Sequence, residues 1–549
     1  MVWRNYSACL WARGAVLLLL AAAPQLAHAP VVPARHGQVA AGALDGMARV
    51  GLSGKITTLS AIQLYAARGE YQPFEVAVDA QGGPVESVSV AASDLRSEDK
   101  IIERSNLAIF REHFIRVRRG SRDFRGTNRP LGPGMYPDAL IPVNAGALGR
   151  GRARFAGSPV TVEPSARAVF WIDVFVPREA TAGLYRGAVT VSSRDAKAVI
   201  PVSLVVWHHT LPLRPSLKSS FGMEARHMGN ERMAELLLSH HLMPFLVEPG
   251  YAKYYQEKFG LNTTGLPFFG NANNRACVMN PPPAVNSIRA AIARYPKDIQ
   301  KYEYAADEID GCPRMFPVLK QWSRNVHAAG AKMLVTVTPT PELLSDGAAT
   351  GRHAVDIWVV LPKMYDDAYP LVQKVLRTGD EVWSYNALVQ DGYSPKWQID
   401  FEPIDYRIQA GFLSQSLGIT GLLYSEVNHW NDDPWVNPES FDLDGYTFNG
   451  EDMLVYPGEP AGADEPLPSM RLKWLRKGIE DYEYVEMLKQ AGRGDWALRT
   501  IRTVAANWHS WTRNTAALES VRRRLGEELD AIAVAKAPVT ETRGRASGS

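Results

Sequence analysis

Two neighbouring carboxylates at the end of an apolar run are the residues of this sequence best suited to chemistry. In "YEYAADEIDGCP", residues 302–313, strand-like alternation runs directly into Asp307 and Glu308. Like charges this close raise the pKa of at least one carboxyl group, and partial burial raises it further. One group then carries a proton while the other stays anionic, and glycoside hydrolysis requires that pair of states.

The pair can serve one cleft only if the strand ends or bulges at this point, because adjacent residues of a regular strand face opposite sides. Gly311 and Pro313 favour such a break. Acidic residues also bind the free amides at the start of a helix. Asp310 fits that structural role for a helix beginning near Arg314, so the residues alone leave catalysis and capping both open.

The elements that must position the pair form a chain of three parts. Residues 47–210 alternate apolar and polar side chains, as in "YQPFEVAVDA" and "YRGAVTVSS", which predicts an antiparallel β-sandwich. Residues 217–465 alternate short apolar runs with helical segments, which predicts a (β/α)8 TIM-like barrel with its site at the carboxyl ends of the strands. Residues 466–536 carry apolar residues at spacing three and four, which predicts helices packed on the barrel.

Three segments have no regular period. We interpret residues 118–142 and 262–283 as long loops, the second lying over one end of the barrel. The polar residues 537–549 predict a disordered tail.

The first 29 residues predict a cleaved export signal. Arg4 and Arg13 precede the apolar run 15–23, and Ala27 and Ala29 form a small-x-small cleavage pattern. The run is too short to span a bilayer. Without the two arginines, 58 basic residues balance 58 acidic ones, which argues against nucleic acid or an anionic membrane as a partner. We therefore expect a periplasmic or extracellular protein that does not insert into a membrane, and the sequence gives no oligomeric state.

Cys277 and Cys312 are the cysteines that remain after signal cleavage. Two thiols of an exported protein can pair, and their spacing is not that of a zinc site. The sequence does not supply the Cα distance that a bridge needs, so a disulfide and free thiols both stay open.

Two pairs of adjacent histidines, at 208–209 and 240–241, are the obvious metal candidates. Neighbouring side chains do not project to one side of a strand or helix, and no third ligand is evident. We expect no metal and no cofactor.

The C-terminal "SMRLKWLRKGIEDYEYVEMLK", residues 469–489, resembles the signature of the domain of unknown function 4091, which accompanies glycoside hydrolase family 123. The stretches "GMYPDALIP", "WIDVFVPREATAGLYRGAVTV" and "GITGLLYSEVNHWNDDPW" also resemble this group, so the resemblance covers about residues 60–490. It implies a β-sandwich joined to a barrel and an exo-acting β-N-acetylgalactosaminidase or related hexosaminidase. The family's catalytic pair is an adjacent Asp-Glu at a strand end, which Asp307 and Glu308 match. Relatives commonly place Pro after the pair, where this chain has Ile309.

The mechanism that the resemblance implies is retaining and substrate-assisted. The 2-acetamido oxygen of the substrate attacks the anomeric carbon, and Asp307 holds the acetamide N–H. Glu308 protonates the leaving oxygen and then activates water. Neither carboxylate is the nucleophile, so the two need not face each other across the sugar ring.

Several polar and aromatic residues near other strand ends are candidates for binding the sugar. Trp383 and Tyr385 share one face of "EVWSYNAL", and with Asn386 they can form a wall and an acetamide donor. The alternative for Trp383 is the barrel core. Tyr365 is a further candidate wall.

The stretch "LLYSEVNHWNDDPW" offers Glu426, Asn428 and Trp430 at period two. Glu426 can bond sugar hydroxyls and Trp430 can stack on an apolar sugar face. The alternative is a structural strand with a buried, satisfied Glu. Elsewhere we expect Arg407 to pair with Glu402 or Asp405. We expect four residues to fasten the C-terminal helices to the barrel: Arg471, Arg476, Asp481 and Tyr484.

The interpretation is an exported glycoside hydrolase whose partner is a glycan or oligosaccharide. One rival keeps the barrel but uses a sugar without an acetamido group. Asp307 would then act as nucleophile or base, and Glu426 is the first candidate for its partner. The other rival is a carbohydrate-binding or cell-surface protein without catalysis.

Overall fold

The computed structural model describes residues 37–144, 153–224 and 230–536. The predicted export signal, residues 1–29, and the predicted disordered tail, residues 537–549, lie outside the described residues. None of the helices in the described ranges is both long and apolar enough to cross a membrane.

Twelve strands form two sheets in the N-terminal part of the described chain. The first sheet has the order β1-β3-β10-β7-β8, and the second has the order β2-β12-β11-β4-β9 with β5 and β6 at its side. The prediction of antiparallel sheets is confirmed, with the parallel pair β2–β12 as an exception. The strands are β1 Gln38–Asp45, β2 Ile62–Arg68, β3 Tyr71–Gln81, β4 Val85–Ala92, β5 Leu95–Ser97, β6 Lys100–Ile102, β7 Leu107–Val117, β8 Gly134–Pro142, β9 Val160–Val162, β10 Arg167–Phe175, β11 Gly183–Ser192 and β12 Lys197–Thr210.

The first sheet is buried on both faces, because it lies between the second sheet and the C-terminal helices. Phe170 and Ile172 of β10 belong to the core shared by the two sheets. Trp171, between them, points the other way and meets the ring of Trp474 edge-on at 6.4 Å between centroids. Alternation along one strand therefore supplies two separate cores.

The expectation that residues 118–142 form one long loop is wrong at its C-terminal end. Strand β8 occupies Gly134–Pro142 and pairs with β7. Pro137 sits opposite Phe114, where the pairing register shifts. A proline inside a run argues against a strand unless it lies at an edge or a bulge, and β8 provides both conditions.

Seven parallel strands follow and form a nearly closed barrel in the order β13-β19-β18-β17-β16-β15-β14. The strands are β13 Lys218–Phe221, β14 Thr263–Gly265, β15 Gln300–Ala306, β16 Lys332–Thr336, β17 Ile357–Val360, β18 Glu381–Tyr385 and β19 Gly421–Tyr424. Strand β14 lies inside residues 262–283, so the prediction of one continuous loop there is wrong. Three residues are too few to show a period in the sequence.

The predicted (β/α)8 barrel is thus observed as a seven-stranded ring whose remaining gap holds an extended segment. The amide of Phe221 donates to the carbonyl of Met243 at 2.9 Å, and the amide of Phe245 donates back to Phe221 at 2.8 Å. On the other side, the amide of Gly265 donates to the carbonyl of Phe245 at 2.8 Å. Residues 243–245 therefore bridge β13 and β14 through backbone hydrogen bonds.

Helices separate the barrel strands and complete the C-terminal part. They are α1 Glu231–Leu238, α2 Pro249–Phe259, α3 Val285–Ile292, α4 Phe316–Ala329, α5 Pro362–Asp367, α6 Tyr369–Thr378, α7 Pro403–Ile408, α8 Ser414–Leu417, α9 Met470–Gln490, α10 Gly494–Ile501 and α11 Thr515–Lys536. Asp310 does not cap α4, because its carboxylate accepts a hydrogen bond from the amide of Thr338 at 2.9 Å. Capping as the explanation for Asp310 is therefore wrong.

Helix α9 carries buried charges that pair with the N-terminal sheets as well as with the barrel helices. Arg471 bonds both oxygens of Asp138 in β8, at 2.8 and 2.9 Å. Arg476 pairs with Asp173 of β10 at 2.6 Å. A buried charge is tolerated only when it is paired. Both arginines thus fasten α9 through ion pairs, but their carboxylate partners lie in the N-terminal sheets and not in the barrel as predicted.

Tyr484 also fastens α9 to the N-terminal part, whereas Asp481 fastens α9 to the barrel helix α7, as predicted. The hydroxyl of Tyr484 donates to Glu70 at 2.6 Å. Asp481 accepts from Arg407 at 2.7 Å, and Arg407 also pairs with Glu519. The expected partners of Arg407, Glu402 and Asp405, are wrong because α9 and α11 pack over α7 and present their own carboxylates.

Candidate active site

A cavity of about 680 Å³ opens at the carboxyl ends of the barrel strands. Residues at or just beyond the ends of β13, β15, β16, β18 and β19 line it, as expected for a site on a parallel barrel. The lining residues with polar side chains are Ser220, Asn271, Tyr304, Asp307, Glu308, Thr336, Tyr385, Asn386, Tyr424, Ser425, Glu426, Glu451 and Asp452.

Asp307 and Glu308 both face this cavity because the strand before them is irregular. The pairing of β15 with β16 shifts register between Tyr304 and Ala306. Glu308 then adopts a left-handed backbone conformation with φ of +46°. That region is uncommon for residues other than glycine and is often found at functional sites. The shift and the left-handed turn together bring two consecutive side chains to one cleft.

The Asp307 carboxylate is held through one of its two oxygens. Oδ1 accepts a hydrogen bond of 2.6 Å from the Tyr304 hydroxyl and a second one from the Thr336 hydroxyl. Within the described part of the chain, no side chain or amide bonds Oδ2. One oxygen is therefore fixed while the other faces the cavity and can accept a hydrogen bond from a ligand.

The Glu308 carboxyl is held by a different residue. The Tyr385 hydroxyl donates to its Oε1 at 2.9 Å, and the Glu308 amide donates to the Thr336 hydroxyl oxygen at 2.9 Å. Burial raises the pKa of Glu308, and the charges of Asp307 and Asp310 raise it further, while the Tyr385 hydrogen bond lowers it. The arrangement keeps a proton on Glu308 to a higher pH than on an ordinary carboxyl, which suits a general acid.

A second pair of adjacent acids, Glu451 and Asp452, lies in the same cavity. Burial raises the pKa of Asp452 to about 7, and the nearby charge of Glu426 contributes to the same direction. Burial also raises the pKa of Glu451 well above its ordinary range, although Gln398 bonds its carboxylate. Our reading of the sequence missed this pair, which has the same adjacent-acid signal as Asp307 and Glu308 but follows no apolar run.

The predicted sugar-binding residues divide into two groups. Tyr385, Asn386 and Glu426 line the cavity. The amide of Asn386 bonds Pro395 and Gln409, so this side chain is already engaged in positioning the loop that follows β18. The remaining candidates lie elsewhere.

Trp383 and Tyr365 do not contact the cavity, so their predicted roles as walls are wrong. Trp383 is 0% exposed and donates its indole N–H to Glu381 at 2.9 Å inside the barrel. Its side chain shares the inward face of β18 with Tyr385 but lies deeper in the barrel. Trp383 therefore belongs to the barrel core, which was the alternative to a sugar-binding role. Tyr365 lies outside the ring on α5, where its hydroxyl donates to the carbonyl of Leu417 at 2.8 Å.

Asn428 and Trp430 do not line the cavity either, so their predicted roles in sugar binding are wrong. Asn428 is fully buried and its side-chain oxygen accepts from the amide of Glu224 at 3.1 Å. Trp430 donates its indole N–H to Val455 at 2.9 Å and lines a separate groove of about 460 Å³. Strand β19 ends at Tyr424. The alternation of side chains between two faces, which we assumed for the residues after it, therefore does not hold.

Apolar side chains that our reading of the sequence missed border the cavity. Phe245 and Phe269 stand on one side, with ring centroids 6.3 Å apart, and Phe441 and Leu443 stand on the other. Phe269 and Leu443 are 48% and 46% exposed, which is high for such residues. The corresponding sequence signals are the two phenylalanines of "PFFG" and the segment that forms the hairpin of β20 Glu439–Leu443 and β21 Tyr446–Asn449.

A disulfide joins Cys277 to Cys312 with an S–S distance of 2.08 Å, which settles the alternative that the sequence left open. Cys277 belongs to the loop that carries Phe269 and the other wall residues 270–272. Cys312 follows Glu308 by four residues. The bridge thus ties one wall of the cavity to the segment that carries the catalytic candidates.

Comparison with known proteins identifies the type of enzyme. Residues 349–488 match the family Glycoside hydrolase 123, catalytic domain. The chain is a glycoside hydrolase. Its resemblance to glycoside hydrolase family 123 is thereby confirmed, while the resemblance to the domain of unknown function 4091 stays a prediction. The matched segment begins after Asp307 and Glu308, so the roles of these two residues in the hydrolase also stay predictions.

A solved structure supports the same fold for the hydrolase. A family 123 glycoside hydrolase from Clostridium perfringens superimposes with a TM-score of 0.62, covering 90% of this chain and 98% of that chain at 13% identity. A β-glucuronidase from Parabacteroides merdae covers 82% of this chain and 52% of that chain at 8% identity, but its TM-score of 0.27 supports no argument. No curated protein matches the hydrolase by sequence.

Proposed function

We propose that the hydrolase is an exo-acting β-N-acetylhexosaminidase of the galactosaminidase type, with a retaining, substrate-assisted mechanism. The observation that carries the proposal is the pair of consecutive carboxylates in one cavity, each held by a different tyrosine. Asp307 is bonded by Tyr304, and Glu308 is bonded by Tyr385. The similar C. perfringens enzyme is described as acting in glycolipid glycan hydrolysis, and we propose a glycan substrate here too.

Asp307 is suited to orient the acetamide group of the substrate. Its Oδ1 is committed to Tyr304 and Thr336, so Oδ2 is the oxygen that can accept the acetamide N–H. An N–H bonded in this way pushes electron density toward the acetamide oxygen, which attacks the anomeric carbon from within the substrate. The anionic carboxylate also stabilises the positive charge of the oxazolinium-like intermediate.

Glu308 is suited to move the proton. Its raised pKa favours the protonated form, and in this mechanism Glu308 donates its proton to the leaving glycosidic oxygen. The resulting carboxylate then takes a proton from the water that opens the intermediate, which restores the acid form. Tyr385 holds Oε1 throughout, so Oε2 is the oxygen that faces the glycosidic bond.

A second candidate function keeps the hydrolase but uses a sugar without an acetamido group. The observation that favours it is that Glu426 and Asp452 share the cavity with Asp307 and Glu308. Two facing carboxylates, one acid and one nucleophile, perform ordinary retaining hydrolysis. In this account Asp307 or Glu426 attacks the anomeric carbon directly.

We also propose that the hydrolase is exported to the periplasm or the extracellular space. The predicted leader at residues 1–29 supports export. The Cys277–Cys312 disulfide supports it independently, because such bonds persist in oxidising compartments.

The test is hydrolysis of 4-nitrophenyl β-glycosides of N-acetylgalactosamine, N-acetylglucosamine, galactose and glucose by the purified enzyme. We expect turnover of the two acetamido sugars, with the galacto form faster, and inhibition by the corresponding thiazoline, which mimics the cyclised intermediate. Turnover of galactosides or glucosides without thiazoline inhibition would select the second function. Sugar binding without any turnover, unchanged in Glu308→Gln, would indicate a non-catalytic carbohydrate-binding protein.

A further inference from the structure

Three side chains from two strand ends converge beside the cavity, on the side opposite Asp307 and Glu308. Glu224 follows β13, and Glu426 and His429 follow β19. Nδ1 of His429 lies 3.2 Å from Oε2 of Glu426 and 3.7 Å from Oε1 of Glu224. One ligand atom from each of the three lies within 4.8 Å of the others, and each residue is partly buried.

These separations, 3.2 and 3.7 Å, are close to the spacing of ligand atoms around one small cation. An ion bound to N and O atoms at about 2.1 Å holds neighbouring ligand atoms roughly 3–3.5 Å apart. Here one imidazole nitrogen, Nδ1 of His429, is near two carboxylates. One ligand atom from each of the three residues is therefore close enough to the others to bind one ion.

A third carboxylate, that of Asp452, lies close to Glu426 and His429. Asp452 is 9% exposed, and its Oδ1 accepts a long hydrogen bond of 3.4 Å from the amide of Glu426. Across the described ranges, nothing else donates to the Asp452 carboxylate. Both Glu426 and His429 are close enough to act on it electrostatically. A buried carboxylate with one long hydrogen bond is stabilised either by keeping its proton or by a positive charge nearby.

We propose that Glu224, Glu426 and His429, with Asp452 beside them, form a binding site for one divalent transition-metal cation. The donor set decides the class of ion. Calcium and magnesium take oxygen ligands, whereas an imidazole nitrogen combined with carboxylates suits Zn²⁺ or Mn²⁺. The site lies beside the reaction centre, and no step of hydrolysis needs the ion.

The role of the ion is to hold the cavity wall. It adds positive charge beside the carboxylates and links the segment after β13 to the segment after β19. Ser425 and Glu426, which line the cavity, are thereby fixed in position. This inference is independent of the sugar that the enzyme cleaves.

The alternative explanation uses no metal. A protonated His429 can itself bridge Glu224 and Glu426 as a cation. The imidazole then donates from Nδ1, and the cluster needs no further positive charge. Metal binding separates the two explanations, because a protonated imidazole cannot be a ligand.

The experiment is equilibrium dialysis of the untagged, chelator-treated enzyme against Zn²⁺ and, separately, Mn²⁺ at pH 7.5, with the bound metal measured by mass spectrometry. We expect one ion per chain in the wild type, and an affinity at least about 100-fold weaker in His429→Ala, because even outer partners of a metal site contribute about 10–100-fold. His208→Ala is the matched control, since His208 is an exposed histidine paired with Asp530 at 2.9 Å. It should keep full binding.

A second readout covers variants that fold poorly. Bound metal should raise the melting temperature of the wild type and of His208→Ala, but not that of Glu224→Gln, which changes one oxygen to nitrogen and keeps the shape. Equal binding by the wild type and His429→Ala would overturn the proposal by placing the ion elsewhere. No binding of either metal by the wild type would overturn it in favour of the protonated bridge.

Discussion

The hydroxyl of Tyr385, at the end of β18, donates a hydrogen bond of 2.9 Å to Oε1 of Glu308, at the end of β15. The two residues are 77 positions apart in the chain and meet because both strands end at the same rim of the barrel. The bond stabilises the charged form of Glu308, so it opposes the effects of burial and of Asp307 on the pKa of this carboxyl.

Tyr385→Phe should therefore move the pH dependence of the enzyme in a definite direction. Glu308 must be protonated to act as the acid, and loss of the hydrogen bond raises its pKa further. The alkaline limb of the kcat/KM profile should shift to higher pH. Tyr365→Phe is the control, since that hydroxyl bonds Leu417 away from the cavity and its removal should leave the limb in place. A shift to lower pH in Tyr385→Phe would contradict the assignment.

Glu308→Gln should affect poor leaving groups much more than good ones. A phenyl glycoside needs the proton, so kcat/KM should fall by about 10²–10⁴-fold, whereas an activated dinitrophenyl glycoside should lose far less. Glu426→Gln serves as the comparison. A loss in Glu426→Gln as large as that in Glu308→Gln, on both substrates, would favour a direct two-carboxylate mechanism instead.

The strand ends that position Glu308 and Tyr385 follow from the sequence, because each apolar run stops at a polar residue. Helix α9 follows equally well from its spacing. The partners of α9 do not, since Asp138 and Asp173 lie about 300 residues away in the chain and only the packed sheets bring them near.

The wrong predictions have a common physical cause. The period of a strand shows which face a side chain takes, but it does not show how deeply that side chain lies in the barrel. Trp383 and Tyr385 share a face as predicted, but the ring closes over Trp383 and leaves Tyr385 at the rim. Asp452 was missed because it follows no apolar run and lies in a turn after the short strand β21, with φ of +53°. Strand β8 was also missed, because Pro137 interrupts its alternation of apolar and polar residues.

Thr336→Val should damage catalysis while keeping the shape of the side chain. The change removes the donor to Asp307 and the acceptor for the Glu308 amide. Hydrogen bonds to charged groups contribute about 1.5–3 kcal/mol, so kcat should fall by roughly 10–100-fold. Thr336→Ser keeps the hydroxyl and should stay within a few-fold of the wild type. A loss in Thr336→Ser with none in Thr336→Val, measured by steady-state kinetics, would show that the methyl group matters and the hydroxyl does not.

Loss of the Cys277–Cys312 bridge should lower both stability and substrate affinity. A bridge across 35 residues contributes about 3–4 kcal/mol in the chain-entropy account. Cys277→Ser, Cys312→Ser and the double variant should all lose the same amount in urea unfolding, because either change removes the bond. Their KM should rise, because Phe269 and its neighbours are no longer linked by a covalent bond to the segment that carries Glu308. Reductant should reproduce the effect in the wild type only. Additive losses in the double variant would mean that the thiols act separately.

The most direct test of the central claim is the rate of hydrolysis of a series of 4-nitrophenyl galactosaminides whose N-acyl group carries zero, one, two or three fluorine atoms. Fluorine withdraws electrons from the acetamide oxygen and changes its size little. If that oxygen is the nucleophile beside Asp307, log(kcat/KM) should fall steeply and steadily across the series. A flat series would contradict substrate assistance and would assign the attack to a carboxylate of the enzyme.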